Sequence, residues 1–320
     1  MGKFLEKLER FAEKYVAFME KYIEPVIKYL APYVKRLLLM IRHNILYIIW
    51  FLFYYILSIR ILCIFYYVEK AWIIGLIIYG ISIVTAFAFG DSIISLLEGA
   101  RPLETKREKE YLLPILEEVY EDTKAIFPAM PKIRLFIIDT LTLNGMAIGN
   151  HTIAVTQGAV DTLNREELKG IIAHEMGHIF HGDTKATLIN TVGNGIFTII
   201  VIIMKLVIRL LEFIAKLCDE SKIAQVIFRL MRFALEIAVF CFLWFGMLIQ
   251  SFNSRKNELR ADKFAYQSGL GEQLIDTLYI IQKMSLGQNM KLVKKIMASH
   301  PRTSRRIGKL ETLVDAETDS

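Results

Sequence analysis

Apolar side chains recur at Phe4, Leu8, Phe11, Tyr15, Phe18 and Tyr22, in alternating steps of four and three residues, with Lys, Glu and Arg between them. That spacing lines one face of a helix over residues 3–30, and Pro25 and Pro32 are expected to kink or end it. About three heptads remain, the short limit for a coiled coil. The segment is therefore expected to lie on a membrane surface, and possible self-association through residues 3–30 is a second use of the same face.

Past residue 43 the alternation gives way to continuous apolar runs. Ile45–Tyr67 and Trp72–Leu97 each reach the roughly 20 residues that cross a hydrocarbon core. Arg60 and Asp91 are costly in such runs, so each is expected to snorkel or face protein. From Gly99 to about Lys185 the pattern turns polar. A charged stretch, Arg101 to Glu110, leads into a helix through Tyr120, and strands are expected at Ile133–Asp139 and Ile153–Thr156, separated by a segment rich in Gly and Asn from Asn144 to Asn150. Asn164 as N-cap and Glu167 three residues on form a capping box and start another helix. Two shorter apolar runs follow, about Thr191–Leu211 and Phe233–Ile249. The chain then turns polar again, with helices expected over Ser254–Gln267 and from Gly271 into the 280s. The pattern divides the chain into a charged N-terminal helical segment (1–43), a transmembrane hairpin (44–98), a polar unit split between 99–190 and 253–320, and a second transmembrane pair (191–250).

Composition supports a membrane. Apolar residues make up 54% of the chain and mean hydropathy is +0.40, against roughly 45–50% apolar for soluble domains. The net charge of +6 forms no clustered basic stripe with interleaved aromatics, so no nucleic-acid partner is expected. Lys and Arg number nine in residues 1–43, ten in 98–186 and twelve in 253–320, against one in 68–71 and four in 212–232. An even-crossing topology of about four spans places the three basic segments on one side, which the positive-inside rule makes the cytoplasm. Cys63, Cys218 and Cys241 show no paired spacing and are expected to be packing residues. The charged first 36 residues lack a secretory signal and are expected to stay on the mature protein.

The chemistry sits in His174-Glu175-Met176-Gly177-His178. Residues four apart share a helix face, so His174 and His178 can present two imidazole nitrogens to one zinc ion, with Glu175 as the general base that takes a proton from the attacking water. A catalytic zinc needs a third protein ligand and an open position. Glu258 is the strongest candidate, ahead of His151 and His181. Asp262, one helical turn beyond it, can accept the second ring N–H of a ligand histidine. Gly177 leaves room for close packing beside the metal. His300, followed by Pro301 and by Arg306, could donate to the oxyanion formed when water attacks a peptide carbonyl.

These residues in combination resemble the HtpX-type membrane zinc metalloproteases, relatives of the CAAX prenyl proteases. The resemblance rests on His174–His178, Gly182-Asp183, Glu258 with Ala261-Asp262, and His300-Pro301 with Arg306-Ile307, and covers most of the chain from the first hairpin onward. It implies an α-helical membrane protein with an α+β gluzincin-like metalloprotease domain. It implies one zinc ion held by His174, His178 and Glu258, support from Asp262 with Arg306 as a further supporting candidate, and His300 near the substrate carbonyl. It also implies that Asn144-Gly145-Met146-Ala147 is an edge strand pairing with an extended substrate. This chain departs from the family there, with Gly145 and Met146 where Ala and Phe are usual, and again in the charged helix that precedes the first span.

The expected function is endopeptidase activity in quality control, on unfolded or membrane-protein substrates, at the lipid bilayer of the inner or plasma membrane with the catalytic domain facing the cytoplasm. The alternatives are a specific processing protease of the prenyl type, which would call for more spans, and a non-catalytic zinc-binding scaffold.

Overall fold

The structure is a computed structural model that describes residues 19–66, 71–217, 222–284 and 301–318. It is mostly helical with one small sheet. Its elements, in chain order, are a π-helical turn at Met19–Ile23, then α1 (Glu24–His43), α2 (Ile45–Tyr66), α3 (Ala71–Leu97), β1 (Ala100–Pro102), α4 (Lys106–Ile126), β2 (Arg134–Ile138), β3 (Gly145–Ile148), β4 (Thr152–Thr156), α5 (Gln157–Thr162), α6 (Arg165–His181), α7 (Asp183–Leu217), α8 (Lys222–Gln267), α9 (Gly271–Met284) and α10 (Thr303–Thr318).

Local chemistry explains the boundaries nearest the site. Thr105 caps α4 reciprocally with Glu108, and Asn164 caps α6 reciprocally with Glu167 as the sequence predicts. Gly182 ends α6 in the left-handed conformation (φ 73°), which turns the chain sharply before α7 begins.

The sheet has the order β1-β2-β4-β3. β2 runs parallel to β4, while β1 and β3 are antiparallel edge strands. β4 is buried along its whole length. The main core joins one side of the sheet to α4, α6, α8, α9 and α10 through residues such as Leu112, Ile153, Ile172, Met176, Phe264 and Leu274. A separate cluster of Trp50, Tyr54 and Val201 joins α2 to α7.

Several expectations are revised. Pro25 sits in the first turn of α1, where its missing N–H costs nothing, but Pro32 lies inside the helix without ending it. Lys28, whose carbonyl Pro32 leaves without a donor, is on an exposed stretch. The apolar run after Phe233 and the polar helix of Ser254 are one continuous helix of 46 residues: polarity changes along its axis while helicity does not. β1, three residues ending in proline, has no sequence signature. Residues 3–18 of the expected amphipathic segment, and Cys218, lie outside the described residues.

Among the described residues no single helix is long and apolar enough to cross a membrane. Two bent pairs together have the length and composition of a span: Lys21–His43 with Ile45–Arg60, bent by 66°, and Trp72–Ala86 with Ala88–Leu97, bent by 63°.

Candidate metal centre

The helical offset of four residues puts His174 and His178 on one face of α6, their rings edge to face with centroids 4.9 Å apart. Across from them runs α8. Gly177 makes the close approach possible, since a Cβ there would lie 3.0 Å from the Ala261 Cα and 3.1 Å from the Phe264 Cβ. At this distance the Glu258 carboxylate reaches both rings, 3.6 Å from His174 Nε2 and 3.5 Å from His178 Nε2. One ligand atom from each of His174, His178 and Glu258 lies within 4.8 Å of the others, and these three form a group that could hold a metal ion.

The far nitrogens of both rings are held by carboxylates. Asp262 Oδ1 lies 3.0 Å from His174 Nδ1, the pairing expected of an acid one turn beyond Glu258. Asp183 Oδ2 lies 2.9 Å from His178 Nδ1. Sequence reasoning quoted Asp183 only as part of a flanking pair. Its position depends on the turn at Gly182, which folds the start of α7 back onto the preceding helix. Arg260 in turn contacts Asp183 at 3.3 Å.

Arg306, on α10, ties the cluster together. Its guanidinium donates to both Asp262 oxygens, the shortest contact being 2.6 Å, and lies 3.1 Å from Glu258 Oε2. It is buried with them, so one cation offsets part of the charge of two buried carboxylates.

The electrostatics of this donor set suit a cation. Burial opposes protonation of His178, yet Asp183, Glu258 and Glu175 outweigh it and hold its pKa well above the usual value. His174 is raised as well: burial and the Arg306 charge oppose protonation, and Asp262 and Glu258 prevail. Two imidazoles and a carboxylate, with their outer atoms held by acids, match what a zinc site requires.

His181 belongs elsewhere. Its ring packs against His43 and Phe264, and burial lowers its pKa to about 4, keeping it neutral. His151 is exposed in the turn between β3 and β4. His300 lies outside the described residues.

Glu175 opens, with His174, His178 and Glu258, onto a cleft of about 480 Å³. β3 and the preceding Asn144 form one wall, contributing Asn144, Gly145, Met146 and Ala147. Thus all four residues of the predicted edge segment border the metal group. The free edge of β3 offers main-chain groups to an extended chain. Ile94 of α3 and Thr187, Leu188 and Thr191 of α7 line the cleft on the side of the apolar helices.

α1 also reaches the metal helix. Arg36 donates to the carbonyls of Phe180 and Ile179 at 3.0 Å each, and to Ala129 at 3.1 Å. Asn44 donates to the His181 carbonyl at 3.2 Å. A cation at the C-terminal end of α6 complements the carbonyls of its last turn and the helix dipole.

Residues 106–314 match the model of peptidase family M48. The chain is similar to a protease HtpX homologue of Bacteroides fragilis, 33% identical over 183 residues that cover 56% of this chain and 54% of the relative. The chain thus spans about half the length of that relative. It is also similar to protease HtpX of Legionella pneumophila, 25% identical over 266 residues that cover 75% of this chain and 89% of the relative. The crystal structure of S. mikatae Ste24p aligns with 96% of this chain and 74% of its own, at 16% identity and a TM-score of 0.49.

Proposed function

The chain belongs to peptidase family M48, and we propose that it is a zinc-dependent endopeptidase that works at a membrane. The observation that carries this reading is the convergence of His174, His178 and Glu258 in a cleft shared with Glu175.

In this reading His174, His178 and Glu258 hold one zinc ion. When bound, zinc supplies the Lewis acidity that makes peptide hydrolysis feasible at neutral pH. Glu175 takes the proton from the attacking water and hands it to the leaving amine. Asp262 and Asp183 accept the outer ring N–H groups of the two histidines, which fixes their tautomers and aims their free nitrogens at the ion. Arg306, with His174, keeps Asp262 ionised, and its contacts hold Asp262 and Glu258 in place. β3 pairs with the substrate backbone, and His300 donates to the developing oxyanion.

Exposed apolar side chains cover α2, α3, α7 and α8, including Ile56, Ile81, Leu206 and Phe240. Apolar surface this extensive marks a membrane or a partner. We take it as about four spans in two hairpins, 44–98 and 191–250, with 1–43 on the membrane surface. The protease domain, 99–190 with 253–320, then lies on the basic, cytoplasmic side of the inner or plasma membrane. Damaged or misassembled membrane proteins are the substrates such a site would meet, which makes the role one of quality control.

The test is metal dependence. Cleavage of an unfolded protein such as casein should stop on chelation and return on adding zinc, and Glu258→Ala should neither bind zinc tightly nor recover. Cleavage that persists in fully metal-free protein would overturn the reading.

A further inference from the structure

Asp91 is an acid near the end of an otherwise apolar run, and the structure gives it a partner. It lies on the last two turns of α3, largely buried, with a side-chain exposure of 15%. Its Oδ1 accepts the Asn150 N–H at 2.9 Å. The same oxygen fills the space beside Gly149, where an added Cβ would lie only 1.7 Å from it. Gly149 itself has φ +57°, so this turn needs glycine for its backbone and for the carboxylate seated against it. The Thr184 hydroxyl at the start of α7 donates to the Gly149 carbonyl. Arg134 of β2 stands 3.7 Å from the other Asp91 oxygen.

The clamped turn joins β3 to β4, and β3 is the edge strand that walls the cleft beside Glu175. One end of that strand is thus fastened to two apolar helices, α3 and α7. An acid that merely snorkelled from a helix end would face water. This one instead accepts a backbone N–H of the turn.

We propose that Asp91 is a positioning residue for substrate: through Asn150 it holds β3 at the height and register at which an extended peptide can pair with it beside Glu175. This rests on the reading of the cleft as a peptidase site. Asp91 touches neither the metal ligands nor the reacting bond, so its effect falls on substrate binding and leaves the chemical step alone.

The experiment uses the full chain in detergent or nanodiscs and compares wild type with Asp91→Ala, Asp91→Asn and Thr184→Val. It measures zinc content, steady-state cleavage of an extended peptide, and hydrogen exchange of the amides of residues 145–150. Asn at position 91 keeps a carbonyl oxygen that can accept the Asn150 N–H. We expect Asp91→Ala to raise KM about tenfold, the scale of one lost charge-assisted hydrogen bond, with kcat within about twofold of wild type. Zinc content should stay at one ion per chain while the 150 amide exchanges faster. Asp91→Asn should restore most of the KM, and Thr184→Val should raise KM in the same direction, which keeps the test alive if Asp91→Ala fails to fold. An Asp91→Ala protein with wild-type KM and exchange overturns the proposal, as does one whose zinc content and kcat fall while KM holds. If wild type binds zinc but cleaves no peptide, the peptidase reading fails and takes this inference with it. If wild type cleaves and Asp91→Ala matches it, only the inference fails.

Discussion

Asp183 Oδ2 lies 2.9 Å from His178 Nδ1, on the side of the ring away from Glu258. The contact joins the last turn of α6 to the first residue of α7 across Gly182. Asp183→Ala should weaken zinc binding by about 10–100-fold, the usual loss when a ligand histidine's carboxylate is removed. Competition with a calibrated chelator measures this directly. An unchanged zinc affinity would mean that the carboxylate does not orient the ring.

Arg306→Ala should be among the most destabilising single changes. It leaves Glu258 and Asp262 buried without their cation, and breaking a buried ion pair by removing one partner costs about 3–5 kcal/mol. Denaturant unfolding of the metal-free protein reads this loss without interference from the metal. Zinc supplies a replacement positive charge near Glu258, so adding it should recover part of the difference.

Arg36→Ala tests whether α1 supports the metal helix. Three hydrogen bonds from one guanidinium to buried main-chain carbonyls are lost, each of the charged type that contributes about 1.5–3 kcal/mol. Amides in the last turn of α6 should exchange faster in the variant. Exchange confined to α1 would show that the helix docks without stabilising its neighbour.

Zinc binding should release protons. The carboxylates around His178 and His174 raise both pKa values above their usual level near 6.5. In metal-free protein a raised folded-state pKa contributes stability that is complete below about 6.5 and is lost as pH rises through the folded value. Zinc requires the neutral rings, so its affinity should fall as pH drops through those raised values, with more protons released per ion. Calorimetry in two buffers of different ionisation enthalpy gives the proton count. No release at about pH 6.5 would contradict this.

Much of the site was legible because its chemistry is local. The offset of His174 and His178, the capping of Asn164 by Glu167, and the turn between Glu258 and Asp262 all follow from helix geometry over four or five residues. Asp183 was harder to place. Its contact needs the left-handed turn at Gly182, which sequence spacing does not specify. Arg36 entered the sequence reading only as one of the nine basic residues of 1–43, and the docking of α1 reveals its three carbonyl partners. α8 was divided in two because hydropathy reports what surrounds a helix, whereas its hydrogen-bond ladder runs on through the change. Asp91 was expected to face either solvent or protein, and the turn it holds is 59 residues further along the chain.

The most direct test of the central claim is to measure zinc content and casein cleavage side by side for wild type and Glu175→Gln. The account predicts that the variant keeps its zinc and loses about 10²–10⁴-fold in cleavage rate, the scale of a general base. A Glu175→Gln protein that retains zinc and cleaves at the wild-type rate would contradict it.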